Sequence, residues 1–225
     1  MTLRRSFHIS ILATALLAGA AVVPSTAQAA PGLQLRPTMR VSVSALGDDP
    51  WGVTAAKALD VWNQYRLSGD RKSLAEFEGI RNSIAAEAAR RVEADPARMQ
   101  AAWAAADTTH QLVLMAAFTQ LGTPYRNRAR SAGEGFDCSG LTSWAWAQVG
   151  VQIERVSRDQ IRTVTAVDRT TAQAGDLIYY PGHVSLYLGV DDFIIHSPFT
   201  GRDVEVSHIS KSHSRSAKLG NPIGG

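Results

Sequence analysis

The only cysteine of this 225-residue chain stands in Phe136-Asp-Cys-Ser-Gly-Leu141, behind a glycine-bearing loop (Gly133, Gly135). It also opens a helical pattern in which Leu141, Trp144, Ala145 and Val149 recur. A thiol at a helix N-terminus lies among unpaired backbone N–H groups and the positive end of the helix dipole, and both favour thiolate. The same N–H groups can hold an oxyanion, so Cys138 has the placement of an acyl-transfer nucleophile. Such a nucleophile needs a base that can afterwards protonate a leaving amine. His183 opens an alternating stretch in which Ser185 and Tyr187 share its side, while Val184, Leu186 and Leu188 take the other. His196 ends the next such stretch. In a hairpin turning near Val190–Asp192 it falls beside His183, as the polar group that orients a base does. Each residue also has a plainer reading. A lone cysteine can be a small buried hydrophobe, and a lone histidine is more often structural; His8, His110, His208 and His213 show that the residue is not rare here. Joint placement favours chemistry. A Cys/His/His zinc site is the lesser alternative, because the histidines lack a compact ligand spacing, and no metal or cofactor is called for.

The first residues set the compartment. Arg4 and Arg5 precede the apolar run Ile11–Val23 and small residues ending in Ala27-Gln-Ala29, the pattern a signal peptidase accepts. The run is short for a membrane span. The expectation is a signal peptide at 1–29 and a secreted or wall-associated chain of 196 residues with no stable membrane insertion; a retained anchor is the lesser alternative. One cysteine in an exported chain has no intramolecular disulfide partner, and an idle thiol there is an oxidation liability. Cleavage removes two of 23 basic residues and none of 20 acidic ones, so the formal charge falls from +3 to +1 and no nucleic-acid partner is expected. A mildly basic tail (Arg202, Lys211, Arg215, Lys218) is either a solvated face or an attraction to an anionic wall polymer.

Residues 30–50 read as a linker or extended arm, with one short strand at Met39–Ser44. Residues 51–107 read as a small helical region. A first helix stops at Gly69. A second opens on the capping-box sequence Ser73-Leu-Ala-Glu76 and lines up Phe77, Ile80, Ile84, Ala88 and Val92. A third begins at Asp95-Pro96. This region either covers the cleft or positions and packs the rest, with packing the plainer role. From 108 to 225 the pattern is one further helix, with Leu112, Met115, Ala116 and Thr119 on one face, then the cysteine helix. Short strands follow at 175–180, 183–188, 192–196 and 204–206. Helices followed by an antiparallel meander indicate an α+β domain.

Leu121-Gly-Thr-Pro-Tyr125, Phe136-Asp-Cys-Ser-Gly-Leu141, Ala174-Gly-Asp-Leu177, His183-Val-Ser-Leu-Tyr-Leu-Gly189 and Ile195-His-Ser-Pro198 resemble, in order and spacing, the NlpC/P60 family. The resemblance covers about residues 108–200. It implies a papain-like α+β fold, with helices packed on an antiparallel sheet, and Cys138 as nucleophile, His183 as base and His196 as its orienting partner. It implies further that Tyr125 lies near the nucleophile and helps hold the oxyanion, and that Asp137 and Ser139 shape the substrate cleft or cap and pack. The implied activity is that of a peptidoglycan hydrolase, a cysteine endopeptidase cutting between D-γ-glutamyl and diaminopimelate (or lysine) in stem peptides. A non-catalytic wall-binding module and a cysteine amidase or acyltransferase on the same scaffold are the alternatives. The chain departs from the family pattern at Arg126-Asn127-Arg128-Ala129 and at Glu154-Arg-Val-Ser157, which alters the cleft walls and leaves the nucleophile and both histidines in place.

Overall fold

A computed structural model describes residues 45–224. The leader expected at 1–29, most of the arm and the strand expected at Met39–Ser44 lie outside the described residues. Helix α1 (Trp51–Ser68) buries Ala55, Ala58 and Leu59 and stops where Gly69 turns to a φ of 69°, its N–H returned to the Tyr65 carbonyl. Helix α2 (Arg71–Arg91) begins ahead of the expected capping box. Asp70 takes the cap, accepting from the N–H groups of Lys72 and Ser73. The Ser73 hydroxyl donates to Asp70 as well, and Glu76 pairs with Lys57 of α1 at 2.8 Å. An aspartate directly after the left-handed glycine reaches the free N–H groups first, so the later serine has none to cap. Helix α3 (Pro96–Ala105) starts as expected, with Asp95 accepting from Ala97 N–H at 2.8 Å.

Helix α4 (Thr108–Phe118) departs from the one-faced pattern: every residue from His110 to Phe118 is buried. It runs between α1 and α5 (Cys138–Gln148), and a helix enclosed by others has no wet face to keep polar. Strands β1 (Arg130–Ser131) and β2 (Gly135–Phe136) close the glycine-bearing loop into a small hairpin just before α5. After α6 (Ser157–Thr163) comes the main sheet: β3 (Thr165–Val167), β4 (Leu177–Tyr180), β5 (His183–Tyr187), β6 (Phe193–His196), β7 (Glu205–His208) and, beyond α7 (Lys211–Ser216), β8 (Lys218–Asn221). The order is β3-β8-β4-β5-β6-β7, antiparallel throughout. The expected meander is β4 to β7; β8 inserts between β3 and β4. Leu177, Val184, Leu186 and Ile195 on one face join Trp103, Phe118 and Leu141 in a single core, while Ile178, Tyr187 and Ile194 pack outward with Ile209 and Leu219. The class is α+β, helices on an antiparallel sheet.

The helices before residue 107 share that core. The Trp103 indole is buried and donates to the Leu188 carbonyl at 3.0 Å, and Arg98 pairs with Asp191 at 3.1 Å. Both contacts fall at the β5–β6 turn, the end of the hairpin opposite His183 and His196. Arg81 of α2 donates to Gln111 of α4 at 2.9 Å. Removing residues 51–106 strips Phe77, Met99 and Trp103 from the core. Loss of one large core side chain alone costs about 3–5 kcal/mol, so the truncated protein is expected to lose its cooperative thermal transition rather than gain activity.

A buried ion pair ties α4 to the loop before β4. His110 Nε2 meets Asp176 Oδ1 at 2.9 Å, with both side chains fully buried. Its Nδ1 lies 2.7 Å from Asp107 Oδ2, close enough for an ion pair although not aligned for a hydrogen bond. Gly175 must be glycine here. Its φ is 103°, and a Cβ would come within 2.9 Å of the His110 backbone. Burial pulls the imidazole down, but the Asp107 and Asp176 carboxylates outweigh it and raise the group to about 9. An unfolded histidine titrates near 6.5, so this pair contributes fully below that pH and its contribution is lost as pH rises through 9. His110→Gln is expected to lower stability by roughly 3–5 kcal/mol at pH 6. In urea melts from pH 6 to 9.5, the gap between variant and wild type should narrow with rising pH; a constant gap would refute the assignment.

Candidate active site

Cys138 is the first residue of α5, and its neighbours explain how the thiol is held. Asp137 caps the helix, accepting from Gly140 N–H at 2.6 Å and from the Ser139 hydroxyl at 3.2 Å. Arg155, from the segment that departs from the family pattern, grips Asp137 with both Nη atoms at 3.0 and 2.8 Å and reaches Ser139 Oγ at 2.9 Å and the Ala129 carbonyl at 3.2 Å. A Cβ on Gly140 would sit 2.1 Å from that same carbonyl, which is why glycine follows Cys-Ser. Asp137 and Ser139 therefore cap and brace the nucleophile's turn, one of the two roles expected for them. Arg155, an arginine seven residues past the end of α5 in an otherwise irregular stretch, carries no local signal for this role.

The sheet meets this turn along β5. The backbone N–H groups of Val184, Ser139 and Cys138 itself are near enough to the sulfur to lower its pKa. His183, one residue earlier, is buried, and its Nε2 lies 2.8 Å from His196 Nδ1 with the rings at 85°. Ser197 Oγ donates to the Phe136 carbonyl at 2.7 Å, which fastens the end of β6 to the residue before the cap. Tyr125 is brought in by the pairing of its N–H with the Arg202 carbonyl at 2.8 Å. Burial raises its hydroxyl pKa, and so do the nearby charges of Cys138 and Asp137. The structure thus gathers Tyr125, Asp137, Cys138, Ser139, His183 and His196 into one place.

Two further groups belong to it. Glu205, at the start of β7 and paired in register with His196, places Oε1 3.5 Å from His196 Nε2, too long for a good hydrogen bond and short enough for electrostatic orientation. Burial opposes its charge, but His196 and Arg202, the latter at 2.6 Å, outweigh burial and keep it ionised. On the outer side, Tyr180 stacks on His183 with centroids 5.2 Å apart, and His213 of α7 stacks on Tyr180 at 4.3 Å and 6°. Nothing in the sequence pattern marked these residues: Glu205 and His213 come from later elements, and Tyr180, three residues before His183, faces it only once β4 and β5 pair.

The network decides the tautomers. An ionised Glu205 draws the His196 proton to Nε2, which leaves Nδ1 as acceptor. His183 then donates from Nε2, and its Nδ1 lone pair is free for a proton. Burial, followed by His196 and His213, lowers His183 to about 3, so it rests neutral. Burial also raises the Cys138 thiol above its ordinary value, with the Asp137 charge adding to it and the three N–H groups only partly offsetting it. The helix-start N–H groups pull the Cys138 thiol towards thiolate, as expected from sequence, but burial outweighs them, and His183 stays neutral. Among the described residues no group of three or more His, Cys, Asp or Glu is placed to hold a metal ion, and no described helix is long and apolar enough to cross a membrane.

The NlpC/P60 family model matches residues 122–221. Peptidoglycan endopeptidase RipB of Mycobacterium tuberculosis is 34% identical over 92% of this chain and 93% of its own. A probable endopeptidase of Corynebacterium glutamicum is 45% identical over 44% of this chain and 46% of its own, so this chain spans about half the length of that relative. Among solved structures, an NlpC/P60 family protein from Bacillus cereus has a TM-score of 0.47 at 31% identity, covering 51% of this chain and 40% of that one.

The thiol reading is open to direct measurement. Alkylation of Cys138 by iodoacetamide should rise along a single titration centred at higher pH than a free thiol. A rate plateau extending to acidic pH would reveal a resting thiolate–imidazolium pair instead.

Proposed function

The chain belongs to the NlpC/P60 family, and from that premise we propose that it is an exported cysteine endopeptidase that hydrolyses peptidoglycan, cutting between D-γ-glutamyl and diaminopimelate or lysine in stem peptides. One observation carries the reading: a half-buried thiol at a helix N-terminus lies against the strand that supplies a neutral imidazole, which is itself oriented by His196 and Glu205. A wall-binding module has no use for that proton path. The names of the relatives, peptidoglycan endopeptidase among them, support the substrate class. The leader pattern at 1–29 supports export.

The reaction proposed is acyl transfer. The Cys138 S–H proton passes to His183 Nδ1 as sulfur attacks the amide carbon. The N–H groups of Cys138 and Val184 and the Tyr125 hydroxyl face the developing oxyanion. The proton on His183 then moves to the amide nitrogen, the C–N bond breaks and the amine leaves. Water adds to the thioester carbon, returning a proton through His183 to sulfur as the acid departs. His196 and Glu205 hold the base in the tautomer that leaves Nδ1 free. Excess chelator should leave turnover intact; loss restored by zinc would overturn the thiol mechanism.

Mass analysis of peptidoglycan digested by the mature protein tests the whole reading. Stem peptides newly ended at D-glutamate are expected with wild type and not with Cys138→Ala. Glu205→Gln should lower kcat about tenfold with little change in KM, as loss of a group acting through another does. Wall binding without new fragments would instead identify a non-catalytic module, and fragments cut at another bond would point to a different amidase.

A further inference from the structure

A groove beside the base is left unused by the chemistry above. It has a volume of 390 Å³, with one wall from α6 (Arg158, Ile161, Arg162), the other from Ser216 and Lys218, and a floor of Tyr179 and Pro181. A second hollow shares Arg158 and Tyr179 and reaches Gly182, the residue before His183. Through Gly182 and Pro181 the two hollows reach the β4–β5 turn that leads into His183. Arg162 pairs with Asp159 at 3.1 Å, but no carboxylate among the described residues pairs with Arg158 or Lys218. Exposed Lys211 and Arg215 on α7 add to the positive field.

Two unpaired cations over an aromatic floor suit a chain that alternates carboxylates with methyl or methylene groups. Arginine offers a planar fork to a carboxylate, and lysine a point charge beside it. We infer that this groove binds a carboxylate-bearing stretch of the same peptide whose amide lies at Cys138, so that the protein selects stems with free rather than amidated carboxylates. This rests on the hydrolase reading. A phosphate polymer would also meet the charge, but a groove that ends on the turn carrying the base fits a ligand covalently continuous with the scissile amide.

The test uses a soluble stem peptide with free carboxylates, the same peptide amidated, and the Arg158→Gln/Lys218→Gln protein. Wild type should show the lower KM for the free acid, and the ratio of the two KM values should collapse about tenfold in the variant, the scale of two exposed charge contacts. Calorimetric binding of both peptides to proteins that also carry Cys138→Ala reads the same preference without turnover. Cleavage with an unaltered KM ratio overturns the groove and leaves the hydrolase. Carboxylate-dependent binding that needs Arg158 and Lys218, without any cleavage by wild type, keeps the groove and overturns the hydrolase. No binding of either peptide, or charge-dependent binding of polyglycerol phosphate alone, overturns the groove.

Discussion

The contact between the first turn of α5 and the first residues of β5 is the constraint that the rest of the molecule serves. A thiol can meet both a base and a set of N–H donors only where a helix start and a strand start face each other within a few ångströms. Here that approach is made by removing side chains and adding clamps. Gly140 lets the Ala129 carbonyl lie against the helix, Arg155 ties that carbonyl to Asp137, and Ser197 binds β6 to the Phe136 carbonyl. The Val184 N–H acts on the sulfur from the strand side, lowering its pKa. Arg155 and Ser197 each bind a backbone carbonyl beside the turn, which fixes its place against the sheet.

The same burial that excludes water from this turn resists every charge in it. Two buried histidines show how partners decide the outcome. His110, between Asp107 and Asp176, rises to about 9, while His183, facing His196 and His213, falls to about 3. The first is a stabilising cation. The second is a neutral imidazole, and it lowers stability as pH falls from 6.5 towards 3, where the unfolded chain binds a proton that the native site refuses. Glu205 places its negative charge 3.5 Å from His196, on the side away from the His183 ring.

The helices ahead of residue 107 act on the far end of the same hairpin. Trp103 and Arg98 hold the Leu188–Asp191 turn, and α4 passes through the centre of the core with no solvent face. A hairpin gripped at its turn has little freedom to slide in register, and a shift of one residue would carry His183 and His196 to the opposite face. Packing at the turn is thus coupled to geometry at the site through the strands themselves.

Local pattern was enough to place Cys138 on a helix start, both histidines on adjacent strands, the stop at Gly69, the cap at Asp95 and the antiparallel meander. These depend on period, turn residues and caps within a few positions of one another. The family motifs carried Tyr125, Asp137 and Ser139 to the site as well. What only the tertiary structure decided are contacts between separate elements: Arg155 with Asp137, Glu205 with His196, His213 with Tyr180, and β8 inserted between β3 and β4. The charge state of the thiol belongs with them. A helix start favours thiolate wherever it is found, but burial of the site by the sheet is a property of the assembled chain, and here burial is the larger effect.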